Sequence, residues 1–233
     1  MKVLGISGSP RNKKTSGCYQ LVKTVCENTG VDYEVISLAG KHIRGCIACL
    51  GCVQDNVCVL KDDLSSLREK IVEADAYVFG GSNYYNRLNG LMHCLLERFY
   101  QFRHREGNTL WGKLAVAVGV GGSSGSVVTD DIEEIMAYNF IETVAKVSGQ
   151  GASSCWTCGY GETCKVGALH MLYGPDIKIT EDKIPDVRKQ PEILKAAANA
   201  GELLGKRLKV DYDRTRITMK MQSLMMEKFK ETT

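Results

Sequence analysis

The sequence predicts an α/β fold: an open, doubly wound parallel sheet of five strands with helices on both faces. Short, uninterrupted apolar runs recur along the chain, as parallel strands buried on both faces require. Segments with helical apolar spacing lie between them, and loops rich in glycine and serine follow several of the runs. Strand and helix alternating in this way close as one sheet with right-handed crossovers. At 233 residues the chain can bury a full core in one large domain.

The first strand is expected at Val3 to Ser7, the second at Tyr33 to Leu38, the third at Ala76 to Gly81 and the fourth at Leu114 to Gly119. A fifth is expected between 165 and 180. Cys18, Leu21, Val22, Val25 and Cys26 share one face of a first helix, and Leu88, Leu91, Met92, Leu95, Phe99 and Phe102 share a face of another. Asp130 with Glu133 opens a helix whose stripe runs through Ile132, Ile135, Met136, Phe140, Val144 and Val147. Pro191 opens one that runs through Leu194, Ala197, Leu204 and Leu208. Residues 1–210 then form the domain, and 211–233 an amphipathic arm carrying Ile217, Met219, Met221, Leu224, Met225 and Phe229. The arm is expected to pack on a neighbouring subunit.

A net charge of +3 with dispersed basic residues gives no footprint for nucleic acid. No apolar run approaches ~20 residues, so no membrane span is expected. The N-terminus opens on a strand and lacks the pattern of a signal peptide, which points to a cytoplasmic, reducing environment. The ten cysteines are then thiols or ligands rather than disulfides.

Four of them form a compact run, Cys46-x2-Cys49-x2-Cys52-x5-Cys58, in a loop spanning 40–60. Zinc ribbons use two knuckles a dozen or more residues apart. Here one loop supplies all four thiols, the way a single segment wraps a 4Fe–4S cluster. A zinc site and plain structural thiols are the alternatives.

In an open parallel sheet, ligands bind at the carboxyl ends of the strands. After the first strand comes Ser7-Gly8-Ser9-Pro10-Arg11-Asn12-Lys13-Lys14-Thr15-Ser16, leading into a helix. Small residues, the hydroxyls of Ser7, Ser9, Thr15 and Ser16, the charge of Arg11 or Lys14 and a helix N-terminus make a phosphate cradle. It matches neither the dinucleotide nor the nucleoside triphosphate fingerprint. After the third strand, Asn83, Tyr84, Tyr85 and Asn86 suit the face and edge of a planar ring. After the fourth, Gly121, Gly122 and Ser123 leave backbone amides open to a ligand. A phosphate cradle beside a site for a flat ring describes FMN.

The Gly-Ser-Pro-Arg start, the Ser82–Tyr85 loop leading to Gly90 and Leu96-Glu97-Arg98, and the Gly121-Gly122 loop resemble the NADPH-dependent FMN reductase branch of the flavodoxin-like proteins. With the cysteine run, the chain resembles the iron–sulfur flavoproteins of methanogens and other anaerobes. The resemblance covers residues 1 to about 125. It implies one FMN, one 4Fe–4S cluster and a homodimer or homotetramer. It carries cluster ligation onto Cys46, Cys49, Cys52 and Cys58, the phosphate onto Ser7, Ser9, Arg11, Thr15 and Ser16, and the ring onto Tyr85, Asn86, Gly121 and Gly122. The chain departs from the family pattern at Thr15-Ser16, Asn83 and His93.

A second group, Cys155-x2-Cys158-x5-Cys164, lies in a glycine-rich stretch. It reads as reduced thiols, as a redox pair beside the flavin, or as a second metal site whose fourth ligand is His170, another subunit's residue or an exogenous molecule. Three functions are open. One is an oxidoreductase passing electrons from a ferredoxin-like donor through cluster and FMN to a small acceptor. The second is a reductase in which NAD(P)H reduces FMN directly, and the third is a non-enzymatic redox sensor or electron store.

Overall fold

The computed structural model describes residues 1–105 and 107–232. Its strands are β1 (Lys2–Ser7), β2 (Asp32–Ser37), β3 (Ala76–Tyr84), a two-residue β4 (Arg87–Leu88), β5 (Leu114–Gly121) and β6 (Glu142–Gln150). Five of them form a parallel sheet in the order β2-β1-β3-β5-β6, and β4 folds back antiparallel on the end of β3. The helices are α1 (Gly17–Glu27), α2 (Asp63–Glu73), α3 (Gly90–Glu97), α4 (Ser126–Tyr138), α5 (Ala168–Tyr173), α6 (Pro191–Val210) and α7 (Arg214–Thr232). A 3-10 turn, Arg98–Phe102, continues α3.

Alternate residues of each strand build two cores. Val3, Ala76, Val78, Leu114, Val116 and Val118 pack with α1 and α6. Leu4, Ile6, Tyr77, Phe79, Ala115 and Ala117 pack with α2, α3 and α4 on the other face. That two-sided burial is why the strands read as continuous apolar runs. Glycines set how closely α6 crosses α1: a β-carbon at Gly205 would lie 1.9 Å from the Thr29 carbonyl oxygen, and one at Gly201 2.2 Å from that of Val25.

Two sequence expectations change. The fifth parallel strand is β6 at 142–150, whereas 165–180 holds α5 and irregular chain. The α4 helix ends at Tyr138, where the amide of Asn139 caps it and Phe140 takes a φ of 52°. Phe140, Val144 and Val147 keep helical spacing by coincidence, and the β-branched residues Thr143, Val144 and Val147 favour the strand. The α7 arm covers its own chain, burying Ile217, Met221 and Met225. Lys220 and Arg207 both reach Glu142, at 2.9 and 3.0 Å. Burial pushes the Glu142 carboxyl up, but those two cations outweigh it and hold it below the usual range. No helix among the described residues is long and apolar enough to cross a membrane.

Lys113 is buried at the foot of β5, donating to the Val72 carbonyl at 2.6 Å and to the Tyr77 hydroxyl at 3.2 Å. Burial, helped by Arg214, brings its ammonium down from 10.5 to about 7. The unfolded chain keeps that proton up to about pH 10.5, so folding releases it between the two values. Stability conferred relative to Lys113→Met is expected to rise from pH 7 to 9.5, by at most about 1.4 kcal/mol per pH unit. Urea midpoints of both proteins at pH 6, 8 and 9.5 check this, and parallel curves would contradict it.

Candidate functional site

The cysteine run leaves β2 and returns to α2 as a loop without regular structure. Its two feet are held by one buried ion pair. Asp62 caps α2 by accepting from the Leu64 amide, and it meets Arg98 at 2.8 Å, the two side chains 5% and 1% exposed. Asp62 also accepts the Arg44 amide at 3.1 Å, and Arg98 donates to the Arg44 carbonyl at 3.0 Å. Burial pushes the Asp62 carboxyl up, but hydrogen bonds from Arg98 and the Arg44 amide hold it below the usual range. The same helical segment supports the run itself. Glu97 accepts the Cys46 amide at 3.0 Å, and Gln101 accepts the Cys58 amide at 3.1 Å.

Cys46, Cys49, Cys52 and Cys58 line one small pocket of about 20 Å³, together with Ile47, Ala48, Leu50, Leu60, Arg98 and Tyr100. Cys46 and Cys49 are exposed, Cys58 is half-buried and Cys52 is buried. Burial pushes the Cys52 thiol up, and the three neighbouring cysteines add to that rise. The donor set suits an iron–sulfur group: four soft thiols from one loop with an apolar lining. Arg98 lies beside Cys58, and its buried Nε has no hydrogen-bond partner. Ala48 and Leu50 take φ of 50° and 58°. Left-handed steps alternating with ordinary ones turn backbone amides to a common side, as suits a negatively charged group. As placed, no three thiol, imidazole or carboxylate groups among the described residues have metal-chelating spacing. The thiols ring the pocket rather than converge on a point.

The other predicted loops meet at the carboxyl edge of the sheet. The Gly8 amide donates to the Gly80 carbonyl at 2.7 Å, joining β1 to β3. Asn83 Nδ2 donates to the Ser124 carbonyl at 2.9 Å, joining β3 to the loop after β5. Gly122 packs against Ser153, just beyond β6, and Arg11 donates to the Ala152 carbonyl at 2.9 Å. Within the first loop, Ser16 caps α1 by accepting the Tyr19 amide, Ser9 accepts the Arg11 amide, and the Ser7 hydroxyl turns inward to Cys18. Pro10, Arg11 and Thr15 are exposed, as is Ser123 across the edge. The Gly17 and Cys18 amides open α1 where no intrahelical acceptor exists. Tyr85 and Asn86, with φ of 51° and 59°, form the tight turn between β3 and β4, and Tyr85 is fully exposed beside Tyr84. These loops fit an anionic group with a flat ring: hydroxyls and amides at the start of α1 after β1, the tyrosine turn after the neighbouring β3, and the glycines after β5 beyond it. A β-carbon at Gly121 would lie 2.1 Å from the Ser124 carbonyl oxygen.

Several structural residues escaped the motif reading. Asn89, buried before α3, donates to the Gly8 carbonyl at 2.8 Å and accepts the Ser82 amide at 2.9 Å, strapping the first loop to the third. Arg98 and Gln101 sit within an apolar helical stripe and Asp62 directly before a helix. A charge or amide inside a buried stripe is the signal that finds such residues. The second cysteine group lies beyond β6, with Cys158 exposed and Cys155 and Cys164 half-buried, outside the Cys46–Cys58 pocket.

The family model described as NADPH-dependent FMN reductase matches residues 1–153. An iron–sulfur flavoprotein of Methanocaldococcus jannaschii is 31% identical over 165 residues, covering 70% of this chain and 82% of its own length. One of Archaeoglobus fulgidus is 32% identical over 126 residues, covering 52% of this chain and 56% of its own. Among solved structures, RosB with a bound flavin-derived intermediate has a TM-score of 0.63 at 16% identity, over 97% of this chain and 87% of its own. A flavone reductase has a TM-score of 0.59 at 18% identity, over 92% of this chain and 65% of its own. At those identities the two structures show the shared fold. The family match and the archaeal relatives make the chain a flavin-dependent oxidoreductase: it belongs to the NADPH-dependent FMN reductase family, in its iron–sulfur flavoprotein branch.

Proposed function

We propose that this chain carries FMN and a 4Fe–4S cluster and joins one-electron to two-electron transfer between a ferredoxin-like donor and a small acceptor. One observation carries the reading: four thiols ring a single pocket on α3 and its 3-10 extension, and the other end of α3 backs the loops that suit a flavin. A cluster passes one electron at a time and FMN holds one or two, so a chain with both can gather single electrons and deliver a pair.

In this reading Cys46, Cys49, Cys52 and Cys58 hold the cluster, and Arg98 faces it with a fixed positive charge. The exposed Cys46 and Cys49, with exposed Ile47, Leu50 and Val59 around them, leave the loop's outer side open to a donor. Ser9, Pro10, Arg11, Thr15 and Ser16, with the first amides of α1, bind the phosphate. Ser7 sets the start of that loop through its bond to Cys18. Asn83, Tyr84, Tyr85, Asn86, Gly121, Gly122 and Ser123 bound the ring, and Asn83 and Asn89 hold their loops at fixed separation. The protein's part is to position, to exclude solvent and to set charge. No proton-relay triad is required of it. Pairing of subunits completes the path by bringing one subunit's cluster to the other's flavin.

A second reading, in which NADPH reduces the flavin directly, draws on the description of the matching family. Anaerobic stopped-flow separates the two. Reduced ferredoxin is expected to bleach the flavin faster than NADPH, and rapid bleaching by NADPH alone would favour the second.

The cofactors are expected to separate by mutation. Cys49→Ser lowers iron from about four per chain to below one while FMN stays bound. Arg11→Ala with Thr15→Val weakens FMN by roughly tenfold or more with iron unchanged. Joint loss of both cofactors in either variant would contradict separate sites. Asp62→Asn is expected to cost on the order of 3 kcal/mol of stability, because it leaves Arg98 buried without its partner. It also lowers iron content, and a urea midpoint and iron content equal to wild type would refute the structural role given to the pair.

A further inference from the structure

Between β6 and α6 the chain runs through residues 151–190 with only α5 and two 3-10 turns as regular structure. Its buried apolar side chains are Trp156, Leu169 and Val187, while Tyr160, Val166, Met171 and Leu172 are exposed. A stretch with so little core needs a cross-link to keep one conformation. It contains Cys155, Cys158, Cys164 and His170, four potential ligands outside the sites already described.

Short turns fix the backbone around each of the four. Cys155 lies in the 3-10 turn Ser154–Trp156, and Cys158 follows three residues on. Gly159 then takes a φ of 84°, a left-handed step that a side chain would strain. That step turns the next amide back, and the Tyr160 N–H donates to Cys158 Sγ at 3.4 Å. The same sulfur donates to the Cys155 carbonyl at 3.7 Å, so both of its contacts lie within this turn. The chain returns through a turn in which the Cys164 amide donates to the Tyr160 carbonyl at 2.9 Å. Gly167 closes over Cys164, where a β-carbon would lie 3.3 Å from the sulfur. His170 Nε2 stands 2.8 Å from the Glu162 carbonyl oxygen. A carbonyl there assigns the ring proton to Nε2 and leaves the Nδ1 lone pair available, the arrangement that orients a metal-bound imidazole.

We propose that Cys155, Cys158, Cys164 and His170 form a structural zinc site distinct from the Cys46–Cys58 pocket. Three thiolates and one neutral imidazole are a tetrahedral donor set for Zn²⁺. Binding releases the thiol protons to solvent and involves no change of oxidation state. As placed, no trio of these groups has chelating spacing, so the ion draws the four donors together. The consequence reaches the sheet edge, because Ala152 and Ser153, held by Arg11 and Gly122, lead directly into this segment.

The test uses full-length protein purified without oxygen, as wild type, as Cys46→Ser/Cys49→Ser and as Cys155→Ser/Cys158→Ser. One zinc per chain is expected in the wild type and in the Cys46→Ser/Cys49→Ser protein, and none in Cys155→Ser/Cys158→Ser. Failure of the cluster reading would change iron in the wild type and leave this zinc untouched. Should the Cys155→Ser/Cys158→Ser chain not fold, the Cys46→Ser/Cys49→Ser protein is stripped with a chelator and titrated with Co²⁺. One equivalent is then expected to give the visible bands of tetrahedral thiolate-bound cobalt and to slow proteolysis within 151–190 by ~10-fold. Absence of zinc and of cobalt bands, iron in place of zinc, or zinc that persists in Cys155→Ser/Cys158→Ser would each overturn the proposal.

Discussion

The buried pair of Asp62 and Arg98 is the constraint on which the cysteine loop depends. A loop of this length between a strand and a helix has no backbone ladder to hold it, and its four thiols nevertheless line one pocket. Asp62 and Arg98 grip the loop where it leaves β2, through both polar groups of Arg44, and where it enters α2, through the cap on Leu64. Burying two charges is costly, and an ion pair rarely repays that cost in stability alone. Here each partner also makes further hydrogen bonds to the loop, so the pair acts as a register device. It keeps a positive charge beside Cys58 as well.

Helix α3 then links the two sites. Asn89, at its start, straps the loop after β1 to the end of β3, and Met92 fills the space against Gly8. Glu97, Arg98 and Gln101, at its end, hold the cysteine run. Asn89 and Arg98 are nine residues apart, about 13 Å along a helix axis. The sheet edge proposed to hold the flavin and the cysteine pocket therefore share one helical support. Neither loop is itself regular structure, so their fixed relation rests on this support and on the two-faced core beneath it.

The sequence carried most of this in different ways. The sheet was legible because strands buried on both faces leave continuous apolar runs, and four strands lie where those runs predict. The fifth was misplaced because Phe140, Val144 and Val147 satisfy helical spacing while the chain turns at Asn139 and Phe140. Only the β-branched content of Thr143, Val144 and Val147 marks that strand. The arm was legible as a separate segment, but only Ile217, Met221 and Met225 of its apolar residues turn inward, while Met219, Leu224 and Phe229 are exposed, because a mixed apolar pattern does not say which face a helix buries. The cysteine run and the glycine–serine loops were legible as motifs, since their chemistry resides in the residues named. Asp62, Asn89, Arg98 and Gln101 were not, because their roles come from contacts tens of residues away in the chain.

The account centres on one chain holding both cofactors, and the most direct test is their stoichiometry. Iron, acid-labile sulfide and FMN are measured in protein purified without oxygen, with EPR spectra after dithionite reduction. The account predicts about four irons, four sulfides and one FMN per chain, with a reduced-cluster signal. FMN in full amount with no iron or sulfide would contradict it and leave a plain flavin reductase.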